Sequence, residues 1–498
     1  MTATRALFAA ALAFAVAMGT ACAAPYPADP VAAALKAAGK NRAEMQRILT
    51  HYAADAQKLE AARSLLSSMI GKAYKVVTQV DARGRKVDFD CLRYPNLEAA
   101  MQAYEALEKK HGALSDRPTP TFDLATLKAD FLIDHIDRAF AAWKTLPWAR
   151  EVSWETFRDY VLPYRAGKEP AEAWRGELMA RYADLPGKMK DPADLREAAG
   201  LISGDLGGWV GFWDLYYMHP TEQGFSEMKL SRKGRCGDLS NLAMFALRAN
   251  GIPCATDYTP YWADAGNNHA WPVTLDARGR GHDSVGKAAK IYRKTFANHA
   301  ENLCYHAADG ERIPPWLDRP DYVDVTAQYL PTTDVALALS GPQSGAAHAY
   351  LCVFNDGEWR PIQWGAAERG RVAFAAMGRN IAYLPATFGK AGVQAAGPPF
   401  ILTPEGQVRP LPASAALPSA LTVAATSRGP EGYRLATGKA YELFVYQDGW
   451  RSLGKQTAEG RPLTFADAPS GGLYWLVEEG SRREERIFTV EGGKQVWW

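Results

Sequence analysis

The apolar residues change their spacing along this chain, and that change limits the folds open to it. Up to about residue 200 they recur at three- and four-residue steps, as in 42–69 and 127–146, which gives each segment the single apolar stripe of a helix. Asn96 stands before Leu97 as a helix cap, and residues 116–122, with Pro118 and Pro120, read as a break. From about 201 to 310 helical and alternating patterns mix. Beyond about 320 the apolar runs are short, rich in Val, Tyr, Phe and Trp, and cut by Gly, Pro and Asp, as in β-structure. Val353-Phe354-Asn355-Asp356-Gly357-Glu358-Trp359-Arg360 reappears as Val445-Tyr446-Gln447-Asp448-Gly449-Trp450-Arg451. Each copy predicts a strand, a D-G turn and a returning strand, and a second strand pair follows each, at 372–384 and 463–477. The expected fold class is α+β and multidomain. A helical region (24–200) precedes a mixed core (201–310), and two sandwich-like β-modules follow (320–410 and 415–498), divided within the Pro-, Ala- and Ser-rich stretch 397–418.

A chain of 498 residues has room for about two to four such units. Its 57 basic and 55 acidic residues nearly cancel, which gives no reason to expect nucleic acid or an anionic membrane as partner. Residues 1–23 read as a secretory signal peptide: Arg5, an apolar run over 7–18, and an Ala21-Cys22-Ala23 cleavage pattern. A lipid anchor on Cys22 is the lesser alternative, because Gly19 stands where a larger aliphatic residue is usual. No other stretch is long and apolar enough for a transmembrane helix. The expected location is periplasmic or secreted. After cleavage, Cys91, Cys236, Cys254, Cys304 and Cys352 remain, and an odd number in an oxidising compartment leaves at least one free thiol. Their spacings are not those of a zinc site.

The chemistry concentrates in Gly234-Arg235-Cys236-Gly237-Asp238 and the helix that follows. Leu239, Leu242, Ala243 and Ala246 form its apolar stripe, and Gly251 and Pro253 stop it. Cys236 then begins a buried helix, where the helix dipole and the nearby Lys233 and Arg235 favour a nucleophilic thiolate. A nucleophile needs a base, and the base an orienting group. His269-Ala270-Trp271 supplies His269 on a strand that shares one face with Trp271, Val273 and Leu275. A turn at 276–281 leads to Asp283, which is expected to open the next strand and lie beside His269; Asp276, at the turn, is the rival third member. The oxyanion is expected to meet the backbone N–H of Cys236 and a donor from Trp209 or Trp213. Tyr258 and Trp262 are candidates for a substrate groove. Core packing competes with the functional reading for all four aromatic residues. His282, His299 and His306 read as structural or exposed.

G-x-C, a helix ending in R-x-x-G-I-P, an H-A-W strand and a following Asp together resemble the transglutaminase-like superfamily, strongly over 234–283 and more loosely to 296. The overall layout is similar to large exported bacterial proteins with such a domain. The resemblance implies a papain-like core, a nucleophile helix against an antiparallel sheet bearing His and Asp. It also implies acyl transfer through a thioester, with no metal or cofactor required. Cys236 would attack a carboxamide or peptide bond of a protein, peptide or glycopeptide, His269 would move the proton and Asp283 would orient it. Hydrolysis is expected over cross-linking. The alternative is a catalytically inactive peptide- or glycan-binding protein.

Overall fold

The computed structural model describes residues 25–283, 285–308, 310–341, 345–412, 414–427, 433–481 and 485–498; the expected signal segment lies outside them. Among the described residues no helix is long and apolar enough to cross a membrane.

The first part is helical with one departure. Asn96 caps the helix Leu97–His111, its Oδ1 accepting from Ala99 N at 2.9 Å. The stretch 42–69 is two helices, Arg42–His51 and Ala56–Ser68, because Asp55 starts the second as its cap. Residues 116–122, expected as a break, belong to a strand, Ser115–Phe122, which pairs antiparallel with Ala73–Val80. Pro118 and Pro120 are tolerated there because a two-stranded ribbon leaves one side of each strand without a ladder.

Three helices, α1 (Ala129–Thr145), α2 (Trp174–Arg181) and α3 (Leu195–Trp209), surround α4 (Cys236–Ala249). Leu242, Phe245 and Ala246 are buried against them, and Phe245 stacks on Trp174 at 5.0 Å. Each large apolar side chain buried in this way contributes roughly 1.5–3 kcal/mol. The far end of α4 is tied down by polar groups. Trp148 Nε1 donates to Asn250 O at 2.8 Å, and Arg175, itself buried, donates to Arg248 O. Arg248 Nη1 in turn donates to Arg165 O at 2.5 Å. Gly251 stops the helix with φ +70°; a Cβ there would come within 2.8 Å of Ala149 Cβ.

An antiparallel sheet follows, with strands β1 (Cys254–Thr259), β2 (His269–Thr274), β3 (Tyr292–Lys294) and β4 (Tyr322–Asp324) in the order β2-β1-β3-β4. Cys254 and Thr256 turn toward Met244 of α4. Ala255, Asp257 and Thr259 alternate with them and stand opposite Val273, Trp271 and His269. Asp257 is fully buried; it accepts from Arg293 Nε and Nη2 at 2.7 and 2.8 Å and from Tyr329 Oη. The turn at 276–281 is present, with Gly279 N bonded to Asp276 O and Asp276 N to Arg280 O, both at 2.9 Å. The strand expected to open at Asp283 is not. Residue 283 lies in an irregular exposed stretch, and the next strand, β3, pairs with β1 rather than β2. Gly281-His282-Asp283 lacks the β-branched and aromatic residues that favour a pleated strand.

Among the described residues the remainder is β-rich, with one short α-helix, Thr326–Tyr329. Both repeats are hairpins: His348–Asn355 with Glu358–Glu368, and Ala440–Tyr446 with Trp450–Thr457. Asp356, Gly357 and Asp448 take positive φ at the turns, as the D-G signal implies. The first hairpin is central to an eight-stranded sheet, and the second forms one edge of a five-stranded one. Arg486 joins distant parts of the chain: its Nη1 donates to Phe354 O at 2.8 Å, its Nε to Trp498 O at 2.9 Å, and its Nη2 to Ala263 O.

Candidate functional site

Cys236 is the first residue of α4, and its thiol is exposed. Asp238, buried within the first turn, accepts from Arg235 N, Gln223 N and Gln223 Nε2, each at 3.1 Å, and so fixes the chain entering the helix. The guanidinium of Arg235 turns back to the carbonyls of Tyr216 and His219 at 3.4 and 3.3 Å. The hydrogen-bond partner of the Cys236 sulfur is the hydroxyl of Tyr217, 3.4 Å away, and this contact pushes the phenol up to about 12. Sequence reasoning missed Tyr217. It follows the singled-out Trp213 by one helical turn, but nothing in its own spacing marks it.

The other cysteines differ in kind. Cys91, Cys254 and Cys352 are buried free thiols, and Cys304 is disulfide-bonded. Burial pushes the thiol of Cys91 up to about 11 and raises those of Cys254 and Cys352.

His269 is exposed at the start of β2. Its ring is stacked between Trp262 (6.2 Å, 24°) and Trp271 (5.5 Å, 21°), so His269 and Trp271 do share a face. Asn355 anchors the loop before it: its Nδ2 lies 3.0, 2.8 and 2.9 Å from the carbonyls of Trp262, Ala265 and Asn267. No hydrogen bond joins His269 to Cys236 among the described residues.

The two candidate aspartates are placed differently. Asp276 is engaged by its own turn, accepting from Arg278 N, Arg280 N and Arg280 Nε, and it contacts His282 Nε2, all at 2.9 Å. Those bonds hold its carboxyl well below the usual range despite partial burial. Asp283 is exposed and makes no hydrogen bond among the described residues.

Of the four aromatic candidates, Trp213 lies beside the site's entrance. Its backbone N–H donates to Gly234 O at 2.9 Å, and Lys233 Nζ sits 4.0 Å over its ring. Trp209 is packed under Arg181, 4.2 Å from the ring, and near Phe225. Trp262 is the stacking partner of His269. Tyr258 opens onto a cleft of about 2120 Å³, whose lining also includes His269, Lys294, Trp316 and Trp359 but not Cys236. Among the described residues no group of three or more His, Cys, Asp or Glu side chains is arranged to hold a metal.

Residues 213–280 match the family model of the transglutaminase-like superfamily. No curated protein matches the chain. The matched segment takes in Tyr217, Cys236 and His269 and ends before Asp283. Residues 213–280 are therefore a domain of the transglutaminase-like superfamily, set between a helical region and a β-rich one.

Proposed function

We propose that this chain is an exported cysteine hydrolase of the transglutaminase-like kind, with Cys236 as nucleophile and His269 as proton carrier. One observation supports it above the others: within the family-matched segment, a solvent-exposed sulfur begins a buried helix with a phenol hydroxyl beside it. In this reading the sulfur bonds to the carbonyl carbon of a carboxamide or peptide while His269 takes the thiol proton. The tetrahedral intermediate collapses to a thioester as His269 passes that proton to the departing amine. Water, which reaches this exposed sulfur, then cleaves the thioester to a carboxylic acid and restores the thiol. The backbone N–H of Cys236 is the first oxyanion donor, with Trp213 the better placed of the two indoles for the second. Asp283 remains the proposed orienting carboxylate, because the bonds of Asp276 are already committed to its turn. Export rests on residues 1–23, and peptides or glycopeptides are the proposed substrates.

The test is alkylation by iodoacetamide near pH 7, read by mass spectrometry. Cys236 is expected to label first, the three buried thiols serving as internal controls, and His269→Ala is expected to slow it. Slow labelling of Cys236 in the folded protein would reject the enzyme.

A second reading is a peptide- or glycan-binding protein without catalysis. It is favoured by the stacking of His269 between two tryptophans rather than against the sulfur. Its signature would be labelling of Cys236 that ignores His269→Ala.

A further inference from the structure

The cleft beside His269 carries an excess of positive charge that the chemistry described so far does not use. Lys75 (on Ala73–Val80), Lys168 (in the loop after Trp154–Tyr160), Lys294 (the last residue of β3) and Arg319 (before β4) all line it. They come from four separate segments of the chain. Burial and then the charge of Arg319 pull the ammonium groups of Lys168 and Lys294 below the usual lysine range. Both residues are nonetheless reached by water, as side chains on a cleft wall would be.

The neighbouring carboxylates do not neutralise the group. Asp321 is shared by Lys72 at 3.0 Å and Arg319 at 2.6 Å. Glu222 accepts from the backbone N–H of Lys168 at 2.7 Å and from Asn241 Nδ2 at 3.1 Å. Asp318, Glu358 and Asp448 also line the cleft; burial raises the carboxyl of Asp318, and Glu358 is paired with Arg360 at 3.1 Å. No salt bridge or hydrogen bond reaches the ammonium groups of Lys75, Lys168 or Lys294 among the described residues. Gathering like charges in a walled space is unfavourable unless something of opposite sign enters it. Glu222 links the backbone of Lys168 to Asn241 of α4, while α4 itself contributes no residue to the cleft lining. Asn241 is five residues along α4 from Cys236, about 7.5 Å of helix rise.

We propose that Lys75, Lys168, Lys294 and Arg319 form a subsite for a carboxylate-bearing stretch of peptide, held in the cleft that His269 also lines. This deepens the proposed function, on which it rests for calling that peptide the acyl donor; the binding itself does not depend on catalysis.

The experiment is isothermal titration calorimetry on the full chain carrying Cys236→Ala, at low salt. The probes are capped tri-glutamate, capped tri-glutamine and inorganic phosphate. Tri-glutamate is expected to bind about tenfold or more tighter than tri-glutamine. The double variant Lys168→Gln/Lys294→Gln is expected to lose about tenfold or more, and Lys168→Arg/Lys294→Arg to recover most of it. Equal binding of the two peptides, undiminished binding in the Gln variant, or binding of phosphate without tri-glutamate would each overturn the subsite. Failure of the enzyme reading is separate: an unreactive Cys236 alongside charge-dependent tri-glutamate binding leaves the subsite standing.

Discussion

The hydroxyl of Tyr217 lies 3.4 Å from the sulfur of Cys236, and both atoms are at the surface of the domain. A hydroxyl at this distance stabilises the thiolate more than the thiol, since a charged acceptor makes the stronger bond. Tyr217→Phe is therefore expected to slow labelling of Cys236 by iodoacetamide by about three- to tenfold. An unchanged labelling rate would remove Tyr217 from the site.

Glu169 is fully buried and accepts from Ala166 N and Gly167 N. Burial and then the charge of Glu222 push its carboxyl from an ordinary 4.5 up to about 7. The folded chain thus keeps a proton that the unfolded chain releases, so stability should fall as pH rises from about 4.5 to about 7 and level off above. The fall attributable to this group is at most roughly 3 kcal/mol. Urea titrations across that window should show a shallower slope for Glu169→Gln.

Gly251→Ala forces a methyl group to within 2.8 Å of Ala149 Cβ at a left-handed backbone position. The expected destabilisation is about 1–3 kcal/mol, read as a lower urea midpoint, with the iodoacetamide rate of Cys236 little changed in the folded protein.

Asp257→Ala leaves the guanidinium of Arg293 buried without its carboxylate. Removing one partner of such a pair costs about 3–5 kcal/mol. Asp257 lies opposite Trp271, which stacks on His269, so the tryptophan fluorescence of the folded variant should shift as well.

Much of this architecture was legible because local signals and tertiary demands agreed. The stripe of Leu242 and Ala246, the stop at Gly251, the cap at Asn96 and both D-G turns each follow from a few neighbouring residues. The failures came where the deciding partner was remote in sequence. The prolines of Ser115–Phe122 read as a break because Ala73–Val80, which pairs with them, lies some forty residues earlier. Asp283 was placed on a strand by analogy with a hairpin, whereas the bond from Gly281 N to Gln328 Oε1 at 3.1 Å draws that stretch toward a different element. Tyr217 and the cationic cleft are products of folding: no single window of sequence contains Lys75, Lys168, Lys294 and Arg319.

The bonds of Arg486 bear on how the protein can be cut. A chain truncated before this residue would leave the carbonyls of Ala263 and Phe354 without their donor. Ala263 lies next to Trp262, against which the imidazole of His269 rests. The last β-strands are therefore part of the scaffold behind the loop that carries His269, and a fragment ending near residue 310 would lack the brace that shapes it.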